Sequence, residues 1–169
     1  MYRGDSFQVV VDKPEYALTI AIALRAKLKA ETPDGQKLWD ARLAVGVGDI
    51  SFENDNIVTS DGEAFRLSGH SFDHIGKKRL SISTPWPDFN TNIELVTRFA
   101  DDLITSWTAK QARVVYQSML FPKLQKDLAE ELDMTRQNFN YHWSSARGQL
   151  ILDYVEYFKS LISKYVRCW

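Results

Sequence analysis

The stretch QKDLAEELDMTRQNFNYHW, Gln125 to Trp143, reads as two short helices around a tight turn. Leu128, Ala129 and Leu132 share one face of a first helix over Gln125 to Leu132, and the small Ala129 lets another helix cross close by. Asp133 stands where the chain must turn sharply, and Asp tolerates the left-handed backbone region. Thr135 is placed to cap the next helix. In that helix Phe139, Trp143, Ala146 and Leu150 point inward, which leaves Arg136, Gln137, Asn140, Tyr141 and Ser144 outward.

Working upstream, TAKQ at Thr108 to Gln111 matches a capping box, so a further helix starts there, runs through Val114, Val115 and Met119 and stops at Pro122. A supporting helix, a short turn and a helix with an outward N-terminal face make the layout of a helix-turn-helix. The outward side chains suit base reading. Arg can bind guanine O6 and N7 with two hydrogen bonds, and Asn or Gln can do the same at adenine N6 and N7. Arg136, Gln137, Asn140 and Tyr141 are therefore the expected base contacts, and Lys123, Lys126 and Arg147 the expected phosphate contacts. Asp133 departs from the pattern, since Gly is usual at such a turn and a carboxylate near DNA is unfavourable. The competing reading is a small helical bundle that packs against the rest of the chain or a protein partner.

Downstream, Ile151, Tyr154, Phe158, Leu161 and Tyr165 fall at steps of three and four, a heptad seam that would suit a homodimer presenting two half-site readers. Leu150, Val155 and Ile162 widen the stripe, which fits packing on the chain's own domain equally well.

The N-terminal part reads differently. Asp5 to Val11 alternates as a strand, DKPE opens a helix over Pro14 to Ala30 with Asp12 as cap and Glu15 completing a capping box, and TPDGQ ends it. That helix buries Leu18, Ile22 and Leu28. ARLAVGVG at Ala41 to Gly48 is a second strand, ENDNIVTSDG a loop, Glu63 to Ile75 a helix, and RLSIST at Arg79 to Thr84 a third strand. This alternation implies at least one parallel pairing with a helical crossover. TPWPDFN ends the layer, and Asn92 to Trp107 is an amphipathic connecting helix with Ile93, Val96, Phe99, Leu103 and Trp107 on its apolar face.

Composition bounds the rest. The 169 residues are 44% hydrophobic with a net charge of -1, but from Trp107 onward nine Lys and Arg face six Asp and Glu, so a polyanion would meet the second part. Cys168 is the single cysteine, which excludes an intrachain disulfide, and no long uncharged apolar run is present. The expectation is a cytoplasmic protein with no membrane partner.

Three segments, RGDSFQ at Arg3 to Gln8, ARLAVGVGDI at Ala41 to Ile50 and SDGEAFRLSGHSFDHI at Ser60 to Ile75, stand in order ahead of TAKQ and QKDLAEEL. With them the chain resembles the SatD family of bacterial proteins over nearly its whole length. More distantly, GDSFQVVV, a helix and RLAVGVGD are similar to the palm-type core of class III nucleotide cyclases and diguanylate cyclases. That resemblance implies a Gly-Asp hairpin turn near a metal site, which makes Asp5 a weak metal candidate. It also implies a preceding strand that carries a second carboxylate and lies between the strands at Asp5 to Val11 and Ala41 to Gly48. The sequence as given begins at the hairpin turn, so Asp5 stands without its metal-binding partner, and the two strands are expected to pair directly or to take contacts from a second chain.

The expected fold class is α/β (α+β). A truncated ferredoxin-like, palm-type sheet with helices covers 1–88, a connecting helix 89–107, and an all-α helix-turn-helix domain with a long C-terminal helix 108–169. The expected function is a DNA-binding regulator acting on double-stranded DNA as a homodimer. The alternative is a catalytically inactive nucleotide-binding or sensing protein. No catalytic residue or cofactor is expected. His70 and His74 lie four apart but lack a third ligand in phase, GVGD lacks the spacing of a dinucleotide loop, and GKKR at Gly76 to Arg79 reads as a solvated basic face.

Overall fold

The computed structural model describes residues 7–49 and 62–166. The described residues are mostly helical with one small two-stranded parallel sheet, which places the chain in the broad α/β or α+β class. A 3₁₀ turn over Pro14–Tyr16 leads into α1 (Ala17–Ala30), followed by β1 (Leu43–Gly46), α2 (Glu63–Asp73) and β2 (Leu80–Ser83). Five further helices complete the described chain: α3 (Pro87–Ser106), α4 (Ala109–Leu120), α5 (Gln125–Glu131), α6 (Arg136–Ser145) and α7 (Gly148–Val166).

The strands pair from Leu43 opposite Leu80 to Gly46 opposite Ser83, and α2 is the crossover that parallel pairing requires. Gly46 lets α2 settle on one face of the sheet, because a Cβ at that position would run into the Ala64 carbonyl and Ser68. Val47 and Leu80 join the main core, with Leu43, Val45 and Ile82 packed against it. That core is one cluster running from Leu18 and Ile22 in α1 through Phe89, Ile93 and Ile104 in α3 to Ile151, Phe158 and Ile162 in α7. Phe89 meets Phe158 and Tyr165 edge-on at 5.9 and 5.6 Å. The small residues Ala23, Ala26 and Ala30 are buried on α1, which packs most extensively against α4.

Inside this apolar frame lies a charged network. Arg25, fully buried, donates from Nε and Nη2 to the Asp40 carboxylate at 2.9 Å each, from Nη1 to Asp101 at 2.6 Å and from Nη2 to the Thr105 hydroxyl at 2.9 Å. Lys29 donates to the Thr105 carbonyl at 3.0 Å and lies 3.4 Å from Asp40. Asp101 also accepts the Arg79 backbone N–H at 2.8 Å. The network therefore joins α1, the approach to β1, the start of β2 and α3. Burial holds the Lys29 ammonium below its ordinary value against the pull of Asp40. Burial alone would raise the Asp40 carboxyl, but hydrogen bonds from Arg25 and the charges of Arg25 and Lys29 hold it below its ordinary value.

Several expectations need correction. Phe7 to Val11, the described part of the first expected strand, belongs to no strand, and among the described residues β1 pairs with β2 alone. Direct pairing of the first two expected strands is thus not found. Asp5 and the loop residues 53–61 lie outside the described residues. Neither Asp12 nor Glu15 caps α1, since the cap position of the 3₁₀ turn is Lys13 and no side chain closes it; Leu28 is half-buried rather than buried. Helix α3 begins five residues earlier than Asn92, at Pro87, whose missing N–H costs nothing in a first turn. Its buried face is Phe89, Ile93, Thr97, Ala100 and Ile104, so Val96 and Phe99 turn outward, Phe99 with 66% of its surface exposed.

The expected long helix from Thr135 through Leu150 is broken. Arg147 takes φ 55° between α6 and α7, and Leu150, past that break, is 55% exposed instead of buried. Gly148 follows because a Cβ there would collide with the Trp143 ring. The heptad seam is used within the chain, for Ile151, Tyr154, Phe158 and Leu161 are buried in the main core and Tyr165 lies 5.4 Å from Trp86. It carries no argument for a dimer. No helix among the described residues is long and apolar enough to cross a membrane.

Candidate nucleic-acid interface

The unit formed by α4, α5 and α6 is set by local chemistry at each boundary. At the start of α4 the Thr108 hydroxyl accepts from the Gln111 N–H at 3.3 Å and the Gln111 side chain accepts from the Thr108 N–H at 2.8 Å, a complete capping box. Thr108→Ala is expected to lower stability by about 1 kcal/mol in a urea titration, with an unchanged slope.

Helix α5 ends in a Schellman motif. The Met134 N–H bonds the Ala129 carbonyl at 3.0 Å and the Asp133 N–H bonds the Glu130 carbonyl at 3.1 Å, with Asp133 at φ 50°. Asp133 thus occupies the left-handed position where Gly is usual. Thr135 then caps α6, its hydroxyl accepting the Asn138 N–H at 3.2 Å. A small second core of Val114, Leu128, Ala129 and Phe139, flanked by Leu132, Met134 and Trp143, holds the three helices together.

Phe139 being fully buried fixes the rotation of α6. Arg136, Gln137, Tyr141 and Ser144 are exposed and Asn140 is half-buried. Tyr141 is 67% exposed, its ring standing edge-on to His142. Burial, with the nearby charge of Lys110, keeps the His142 imidazole below its ordinary value. No acid lies on α6; Asp127, Glu130, Glu131 and Asp133 all sit on α5 or the turn.

The cations differ in availability. Lys123 pairs with Glu131 across α5, whereas Lys126, Arg136 and Arg147 are exposed and make no ion pair among the described residues. Arg147 occupies the left-handed break that follows α6. Elsewhere, the His70 and His74 rings lie 4.3 Å apart, but the described residues hold no group of three potential metal ligands. In the basic run, Lys78 lies 4.0 Å from Glu94.

No family model, curated protein or solved structure matches this chain. Its geometry alone bears on what the site can do. Two features escaped the sequence reading, the network around Arg25 and an open cleft of about 1280 Å³ beside β1. Residues 15 and 76 apart in sequence supply the network, and no spacing rule links them to Arg25.

Proposed function

We propose that the chain binds duplex DNA through α5 and α6 acting as a helix-turn-helix, with the N-terminal half of α6 in the major groove, as part of transcriptional regulation. The observation that carries this reading is the exposure of Arg136 in the first turn of an acid-free α6, together with Gln137 and Tyr141 on the side away from fully buried Phe139. Such a face offers bidentate partners to guanine and adenine edges. Lys126, ahead on α5, and Arg147, just past α6, are placed for phosphates on either side, while Lys123 would first have to leave Glu131. Asn140, half-buried, contributes through its amide tip.

Selection from a random duplex pool at low salt, followed by binding titrations, tests the reading. Gln137→Ala is expected to relax preference at one base position, with about 1–3 kcal/mol of discrimination lost there. Lys126→Ala is expected to weaken all duplexes alike and to lower the slope of log affinity against log salt by about 1. Absence of any duplex binding at low salt would sink the proposal, and uniform weakening by Gln137→Ala would remove that residue's assigned role.

A further inference from the structure

The sheet has an open side. Leu43 and Val47 donate their backbone N–H groups to the Arg79 and Ser83 carbonyls of the β2 side, at 2.8 and 3.0 Å. By the alternation of a parallel ladder, the N–H and C=O groups of Ala44 and Gly46 must then point to the other edge. Nothing among the described residues pairs with them. That edge opens onto the cleft of about 1280 Å³, whose apolar lining includes Ile20, Leu24, Val45 and Phe72. The volume exceeds the roughly 1,000 Å³ at the upper end for small-molecule sites. Alternating backbone donors and acceptors at Ala44 and Gly46 beside apolar walls are the chemistry that recognises an extended polypeptide.

Across the cleft runs Phe7 to Val11, FQVVV, another wall of the same space. Its composition is that of a strand, with aromatic and β-branched residues and apolar side chains at 7, 9 and 11. Yet it takes no place in the sheet, and Phe7 and Val9 are 58% and 57% exposed. Among the described residues one copy therefore displays both an unpaired strand edge and a strand-like segment without a sheet. A two-stranded sheet is marginal on its own and an open edge is a pairing hazard.

We infer that two copies of this chain exchange these segments: Phe7 to Val11 of each docks on the free edge of β1 in the other as a third strand. Reciprocal exchange of the same segment closes about a two-fold axis, so the assembly stops at a dimer. The inference is independent of whether α6 reads DNA.

Light scattering after size exclusion, with amide exchange at Ala44 and Gly46, tests it on the full chain. The wild type is expected at twice the chain mass, with both amides protected and that protection falling on dilution. Ala44→Pro removes the edge-facing donor but none of the bonds to β2, and Pro is tolerated at an edge, so it is expected to give a folded monomer. Val9→Asp alters a side chain that one copy already exposes and is likewise expected to give a folded monomer, which decides the matter should Ala44→Pro fail to fold. A wild type that stays monomeric at every concentration overturns the inference. So does a dimer that survives Val9→Asp, or protection of Ala44 and Gly46 within a monomer.

Discussion

Arg25→Ala is expected to lower folding stability by about 3–5 kcal/mol, because it strands two carboxylates in the interior rather than deleting a favourable pair. Asp40 would lose both of its guanidinium bonds and Asp101 its bond at 2.6 Å, while the Thr105 hydroxyl would lose its donor. Against a typical total of about 5–15 kcal/mol, this is a large share. It would appear as a melting point lower by about 10 °C or more. Urea and thermal unfolding at neutral pH supply the measurement. Removing the charges together, with Arg25→Met, Lys29→Met, Asp40→Asn and Asp101→Asn, should recover part of the loss, since a buried network replaced by neutral groups of similar volume costs little. A loss under about 1 kcal/mol for Arg25→Ala would mean that the network does not tie α1 to α3 and the sheet.

The same residue sets an acid limb. Asp40 titrates below its ordinary 3.8 in the folded chain, so the unfolded chain binds its proton first as pH falls. Its stabilisation is present in full above the unfolded value and is lost as pH falls through the folded value. The wild-type stability curve should therefore drop below about pH 4, and Arg25→Ala should flatten that drop.

Phe139→Ala is the second large effect, expected at about 3–5 kcal/mol and confined mostly to α5 and α6. Phe139 is the largest of the four buried side chains of the small core it shares with Val114, Leu128 and Ala129. The main core shares none of these four residues, so opening should be local. Amide exchange in α5 and α6 is expected to accelerate by two orders of magnitude or more, at about 1.4 kcal/mol per tenfold, while α1 and α3 remain protected. Duplex binding, if α6 carries it, should fall with that protection. Equal acceleration throughout the chain would show that the three-helix unit does not open separately.

The boundaries that were legible in the sequence are those decided within about five residues. Thr108 and Gln111, Pro122, Asp133 and Thr135 each act through a cap, a missing N–H or a backbone region, and the chain obeys each one. The outward residues of α6 were legible for a related reason, since one buried Phe fixes the phase of a ten-residue helix. Asp12 and Glu15 were not legible in this way, because the cap position of the opening 3₁₀ turn falls to Lys13, whose side chain has no acceptor. The apolar face of α3 was misjudged because Val96 and Phe99 are as greasy as Ile93 and Ile104, and only the position of α7 and the sheet chooses between the two faces.

The sequence by itself determined where α4 and α6 start, where α4 and α5 end, the parallel strand, helix, strand unit and the polar composition of α6, since these follow from dihedral preferences and hydrogen bonds made close by along the chain. Only the tertiary structure decided that Phe7 to Val11 stands outside the sheet, that the heptad seam of α7 is spent on the chain's own core, and that Arg25 gathers two distant aspartates. A strand needs a partner edge, a seam needs a facing surface and a buried charge needs counter-ions, and each of these lies far away in sequence.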